Sequence, residues 1–281
     1  MGNEDRTRLT TASGTLRRGY SIIGLLVTMA CVVVLAAVLL GGLNTAMTGA
    51  GNTLPGSVAS VKDQLTLTEI YKAMLVSADI TGASGRQSAQ GFPIPSEVEG
   101  RARREADTSA SMWSLTIMRN SVAPSMLISS NERNPNVEVC ERYDYEVYDP
   151  AASVFWDPAF QANLAERSNV SFAHVPLWGS RFDRHWAQVS LDGTFPILGT
   201  RGPKDGDPNA PSYTMGRAGS WAGHMCFGDG HVEWLDQMVL PGGPGRGPDR
   251  LFWWEEGARG GDAVIAFTRM VGARGPTLEF D

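Results

Sequence analysis

Along the chain, apolar positions fall into three regimes. From Ile22 to Leu40 there are 19 consecutive residues without a charge, IIGLLVTMACVVVLAAVLL, close to the roughly 20 that span a hydrocarbon core as a helix. A glycine-rich stretch follows, GGLNTAMTGAGNTLPGS, which does not favour a continuous helix. From Val58 to Ala78 apolar residues recur at 58, 61, 65, 67, 70, 74, 75 and 78, a mainly helical spacing that predicts an amphipathic helix with one stripe to lay on a sheet.

Beyond Gly82 the pattern shortens. Phe92-Pro93-Ile94-Pro95-Ser96 reads as a proline-punctuated loop, and Glu97 to Asp107 as a charged, solvated helix start or loop. Ser111–Met118 fits a short buried helix or strand. The runs Ser125–Ser129, Val137–Cys140, Val170–Ala173, Gln188–Leu191 and Pro196–Leu198 have strand length. The clearest local signal is Met225 to Leu235, two alternating runs around Gly228-Asp229-Gly230. Here Asp-Gly supplies the positive φ angles of a tight hairpin, with Phe227, Val232 and Trp234 as packing residues. A head of about 200 residues is long enough for its own core.

Composition narrows the function. Acidic residues outnumber basic ones, 30 to 24, and no basic run exceeds a pair, which argues against nucleic-acid binding. With 32 glycines and 16 prolines, a loop-rich, strand-containing head is favoured over an all-helical one. Three cysteines exclude a four-cysteine zinc site. No Gly-x-Ser-x-Gly, His-Glu-x-x-His or phosphate-loop motif occurs, and no catalytic residue is assigned. Of the four histidines, His224 and His231 flank the hairpin turn. Cross-strand packing is the plain role for them, with a metal site shared with Asp183 as the alternative. Asp205 and Asp207, in Lys204-Asp205-Gly206-Asp207-Pro208-Asn209, offer hard oxygen ligands to calcium without EF-hand spacing. Cys140 and Cys226 are candidates for a disulfide if the head is exported. The late tryptophans, from Trp178 to Trp254, divide between core and a sticky surface for a partner or glycan.

The N-terminal segment admits three readings. Arg17 and Arg18 abut the apolar run, so the positive-inside rule keeps the N-terminus cytoplasmic in a signal anchor. A secretory signal peptide cut after Ala50 is the second, although its apolar core is longer than usual. The third follows from Arg17-Arg18-Gly19 running directly into Tyr20-Ser21-Ile22-Ile23. This resembles the prepilin leader of type IV pilins and type II secretion pseudopilins. By that resemblance Gly19 precedes the cut, Tyr20 becomes the methylated N-terminus, and the apolar helix stays on the mature protein. The leader carries four of the 24 basic and two of the 30 acidic residues, so its removal leaves 20 and 28, a formal charge of −8. The family usually carries a glutamate where this chain has Gly24; tip-located minor pseudopilins also lack that acid.

A second resemblance lies in Phe227-Gly228-Asp229-Gly230-His231-Val232, which is similar to the C-terminal signature of planctomycete-type prepilin-like proteins. Gly219 stands where that signature has histidine. Phe92–Ser96, the Ser129–Pro135 loop, Phe155–Phe160, Ser171–Pro176 and Gly199–Pro203 look similar to the same family. The resemblance implies an α+β, pilin-like fold, with a long N-terminal transmembrane and amphipathic helix leading into an antiparallel β-sheet head with long loops. Its segments would be a leader over 1–19, a transmembrane helix over 20–43, a hinge and stalk helix over 44–78 and an exported head over 79–281. It implies a minor pilin or pseudopilin rather than an enzyme. Its partners would be the prepilin peptidase, other pilin-like subunits and the assembly platform of the inner membrane, with the head in the periplasm or on a fibre. The alternative is a signal-anchored head that binds glycan or calcium and does not polymerise.

Overall fold

Gly56, at φ +87°, turns the chain into the first helix, α1 (Val58–Gly82). A computed structural model describes residues 56–82, 91–100, 103–207, 209, 216–217, 220–242, 248–254, 262–272 and 275–281. All belong to one compact unit, Ala50–Asp281. The leader, its cut site and the apolar run Ile22–Leu40 lie outside the described residues.

The buried face of α1 is Ser60, Asp63, Leu67, Ile70, Tyr71, Met74, Ser77 and Ala78, a regular stripe at three- and four-residue spacing. It differs from the stripe expected from apolar spacing. Val58, Val61 and Leu65 face outward, and Ser60 and Asp63 take their place inside. Two further helices follow. Helix α2 (Ser109–Met118) starts because the Thr108 side chain accepts the Ser111 N–H. Helix α3 (Gly179–His185) is a short turn that buries Arg181, Phe182 and His185.

Strands are short. The first pair is β1 (Ala162–Asn163) with β2 (Arg167–Ser168), antiparallel. The central sheet joins β3 (Phe172–His174), β4 (Pro196–Thr200), β7 (Gly223–Phe227) and β8 (Val232–Leu235) in the order β3-β4-β7-β8, all antiparallel. Its register sets His174 opposite Leu198, Leu198 opposite Cys226, and Cys226 opposite Val232. Three more two-stranded pairs surround it: β5 (Gly216–Arg217) with β6 (Ser220–Trp221), β9 (Val239–Leu240) with β10 (Asp249–Arg250), and β11 (Phe267–Gly272) with β12 (Gly275–Glu279). Helix α1 lies on β7 and β8. Leu67, Ile70 and Met74 share one core with Trp113 of α2, Phe172, Ile197, Met225 and Phe267.

The pilin-like architecture expected from the sequence is corrected by this arrangement. Among the described residues there are three α-helices, and none is long and apolar enough to cross a membrane. The strands form small separate antiparallel sheets instead of one continuous head sheet. The physical reason is local. The inner face of α1 carries a buried carboxylate that only a polar partner can accept, and the strands run for only two to six residues each. Two expected strands are also absent. Pro124–Leu127 is a 3-10 turn, and Gln188–Leu191 is loop, with Leu191 at φ +51°. Val137 forms only an isolated bridge to Ser168.

A buried guanidinium ties distant parts together. Both terminal nitrogens of Arg201, at the end of β4, bond the Glu132 carboxylate at 2.6 and 2.8 Å, and one also reaches the Ser171 carbonyl. Its Nε donates to Asp281. Burial alone would lower its pKa, and bonding to Glu132 and the charge of Asp281 overcome this and raise it. Its own carbonyl accepts the Trp221 indole N–H. Arg201→Met leaves two buried carboxylates without their counter-charge, and is expected to cost about 3–5 kcal/mol, measured by urea unfolding.

Candidate functional site

The hairpin singled out in the sequence sits where α1 meets the central sheet. Its connection is Gly228-Asp229-Gly230, closed by Gly230 N–H to Phe227 O and Phe227 N–H to His231 O. Only Gly230 takes a positive φ, +87°, so a three-residue connection replaces the tighter turn expected from Asp-Gly. A Cβ on Gly230 would come within 2.6 Å of the Tyr71 ring, which donates its hydroxyl to Gly228 O. Gly228 N–H bonds Asp192 O and Phe195 O, so a second loop clamps the turn.

His231 stacks flat on Phe227 at 4.6 Å and bonds the Asp229 carboxylate, both exposed. His224 lies on the other side of the strand pair's logic: its register partner is Trp234, which it meets edge-on at 5.0 Å. The two histidines thus do not face one another. Phe227 is buried and Trp234 half-buried.

Polar groups on the inner face of α1 complete the junction. Ser60 Oγ is 2.8 Å from His224 Nε2. One turn on, Asp63 accepts from Ser129 Oγ, Ser130 N–H and Asn131 Nδ2 at 2.6, 2.7 and 2.9 Å. Ser109 and His174 form a second serine–histidine pair: His174 Nδ1 bonds Val175 O, so Nε2 accepts from Ser109 Oγ, which itself accepts the Thr268 N–H. Both pairs have the contact of a nucleophile with its base, but all four side chains are nine-tenths buried or more. They act as joints. Burial pushes His174 down to about 4, and lowers His224 and His185.

Other sequence candidates separate. Arg17, Arg18, Gly19, Tyr20 and Gly24 lie outside the described residues. Cys140 and Cys226, the candidates for a disulfide, are both free thiols in this structure. Cys226 is enclosed mid-strand, where burial pushes its thiol up to about 12. Cys140 sits in a different neighbourhood, beside Asp157 and Arg167. Among the described residues no three His, Cys, Asp or Glu side chains group to hold a metal. In the Asp205–Asp207 loop, Asp205 takes φ +58° and Asp207 accepts from Asn209. Trp186 and Trp221 are core residues. Trp178, Trp253 and Trp254 carry Arg104, Arg250 and Arg181 over their rings.

Two of the other stretches singled out in the sequence serve as joints. Phe92 packs edge-on against Tyr71 and Trp186, and the Trp186 indole N–H donates to Pro93 O. Ser96 bonds the buried Asp107 carboxylate twice, at 2.8 Å. The Ser129–Pro135 loop supplies both the cradle of Asp63 and, through Glu132, that of Arg201. Sequence reading missed Ser60, Asp63, Ser109 and Arg201; the signal available for the first two was their helical spacing with Leu67 and Ile70.

No family model, curated protein or solved structure matches this chain.

Two outcomes are expected. Gly230→Ala forces a left-handed φ on alanine against the Tyr71 ring, and should cost about 1–2 kcal/mol or more in denaturant unfolding. For His174, the folded pKa of about 4 lies below the unfolded 6.5. Its contribution is therefore complete above pH 6.5 and is lost as pH falls towards 4, about 3 kcal/mol in all. His224 and His185 act in the same direction. The raised carboxyls of Glu97, Asp107 and Glu279 act the other way; the part of the pH 7 to 4 profile that His174 carries is read as the difference between wild type and His174→Gln, and the wild type should lose more stability in acid than the variant does.

Proposed function

We propose that this chain is a prepilin-like minor subunit, processed by a prepilin peptidase and held in the inner membrane. It would serve as a structural or assembly component of a type IV pilus or type II secretion pseudopilus. The single observation that carries the reading is Arg17-Arg18-Gly19-Tyr20 running without a polar spacer into 19 uncharged residues. A peptidase needs an unhindered scissile bond, which glycine supplies, and the apolar run then anchors what remains.

The hairpin supports the reading indirectly. Phe227-Gly228-Asp229-Gly230-His231-Val232, similar to the signature of planctomycete-type prepilin-like proteins, is also the element on which α1 docks. A residue set of this kind suits display and interaction, with buried serine–histidine pairs used as fasteners. Partners on this reading are the peptidase, other subunits and the assembly platform.

A second reading is favoured by Gly24 and by the small separate sheets of the head: a signal-anchored protein in the periplasm that binds a ligand and does not polymerise.

The test is the intact mass and N-terminal residue of the protein from membranes containing a prepilin peptidase. A methylated Tyr20 is expected. A start at Met1 would leave a plain anchor, and one at Gly51 a freed head; either overturns the processing step.

A further inference from the structure

The central sheet ends in an open edge. Strand β8 pairs with β7 alone and stands last in the order β3-β4-β7-β8. Phe227 N–H donates to His231 O, and the register carries the same bonded pairing on to Met225–Glu233 and Gly223–Leu235. The backbone groups of Val232 and Trp234 therefore point away from β7. Val232 O accepts the Gln64 side-chain amide at 3.4 Å. Among the described residues, Val232 N–H, Trp234 N–H and Trp234 O make no bond.

Gln64 also shows which flank of α1 stands beside this edge. Val61 and Thr68, one turn to either side of it, share that flank, and Leu65 adjoins it. Val61 and Leu65 are 42 and 59% exposed. Trp234 and its register partner His224 lie on the sheet face turned to α1, since Ser60 of the helix bonds His224. An edge kept clear of partners carries charge on the side that a partner would cover. Here that side holds two exposed apolar residues.

We propose that a segment of another protein adds to β8 as an extended antiparallel strand, apolar towards α1 and basic on its other face. This goes beyond the pilin-like reading and does not depend on it. Backbone geometry selects the extended chain. Alternate residues of β8 offer N–H and C=O at the two-residue repeat of a strand, which a neighbouring strand about 4.8 Å away matches. The helix selects the side chains of one face: residues set opposite Val232 and Trp234 turn towards Val61 and Leu65. Charge selects those between them. Glu233 and Asp236 are exposed, and neither forms an ion pair among the described residues. The basic residues nearby do not offset them. Lys62 is on the far side of α1 from Gln64, Lys72 follows Tyr71 and so stands level with the turn that carries Asp229, and Arg250 lies over the Trp253 ring. A second copy of β8 would bring Glu233 and Asp236 to the edge again and double its negative charge.

The experiment uses the full chain in detergent and a synthetic peptide of alternating valine and lysine, capped at both ends and labelled for fluorescence anisotropy. Saturable binding is expected, with backbone hydrogen exchange slowed over residues 232–235. N-methylation of the valines removes the donors that face β8 and should abolish binding. N-methylation of the lysines, whose N–H groups point away, should leave it. Val61→Asp should weaken binding about tenfold, whereas Val76→Asp, beyond the level of the hairpin turn, should not change it. Glu233→Lys should weaken binding of the valine–lysine peptide and favour a valine–glutamate one in its place. The absence of saturable binding overturns the proposal. Binding without slowed exchange over 232–235, or equal binding of the peptide methylated at its valines, shows charge attraction to an acidic protein and overturns it too. Exchange over 232–235 that slows with protein concentration in the absence of peptide overturns it in favour of self-pairing.

Discussion

A guanidinium taken out of water sets the terms for much of this molecule. Arg201 keeps its charge in the interior only because Glu132 and Asp281 stand against it and the Ser171 carbonyl accepts a hydrogen bond from it. Those groups come from a loop between helices and sheet, from the start of β3 and from the chain beyond β12. Satisfying one cation therefore fixes four separate segments. The same loop that brings Glu132 to Arg201 turns Ser129, Ser130 and Asn131 toward Asp63. Cation and carboxylate are served from opposite ends of a few residues. The loop has almost no freedom to move without stranding a charge.

What the sequence showed was what is local. The Gly228-Asp229-Gly230 hairpin was legible because alternation and turn chemistry lie within eleven residues. The pattern of Ser111–Met118 fits helix and strand alike, and Thr108, a cap just upstream, decides for helix. Long-range polar pairing left no such trace. Arg201 sits 69 residues from Glu132 and 80 from Asp281, between a glycine-containing strand and a proline loop, without periodicity of its own. The face of α1 departs from its apolar spacing for a related reason. That spacing places Val58, Val61 and Leu65 inside, whereas it is Ser60 and Asp63 that find partners there. Hydrophobic spacing finds a helix, but the hydrogen-bond partners on the other side choose which way it rolls.

Burying polar groups beside an apolar outer stripe divides the labour of α1. Its inner face gains directional bonds that fix its rotation on β7 and β8, while Val58, Val61, Leu65 and Val76 on its outer face stay exposed. Substitutions on the outer stripe therefore leave the inner bonds in place.

The placing of the histidines has an optical consequence. His174 lies 6.1 Å from the ring of Trp113 and 5.3 Å from that of Trp186, and His224 lies 5.0 Å from Trp234. A neutral imidazole barely disturbs indole emission, whereas an imidazolium quenches it by drawing electron density from the excited ring. The interior thus contains fluorophores whose brightness reports the protonation of the groups beside them. Acid would dim this protein from within.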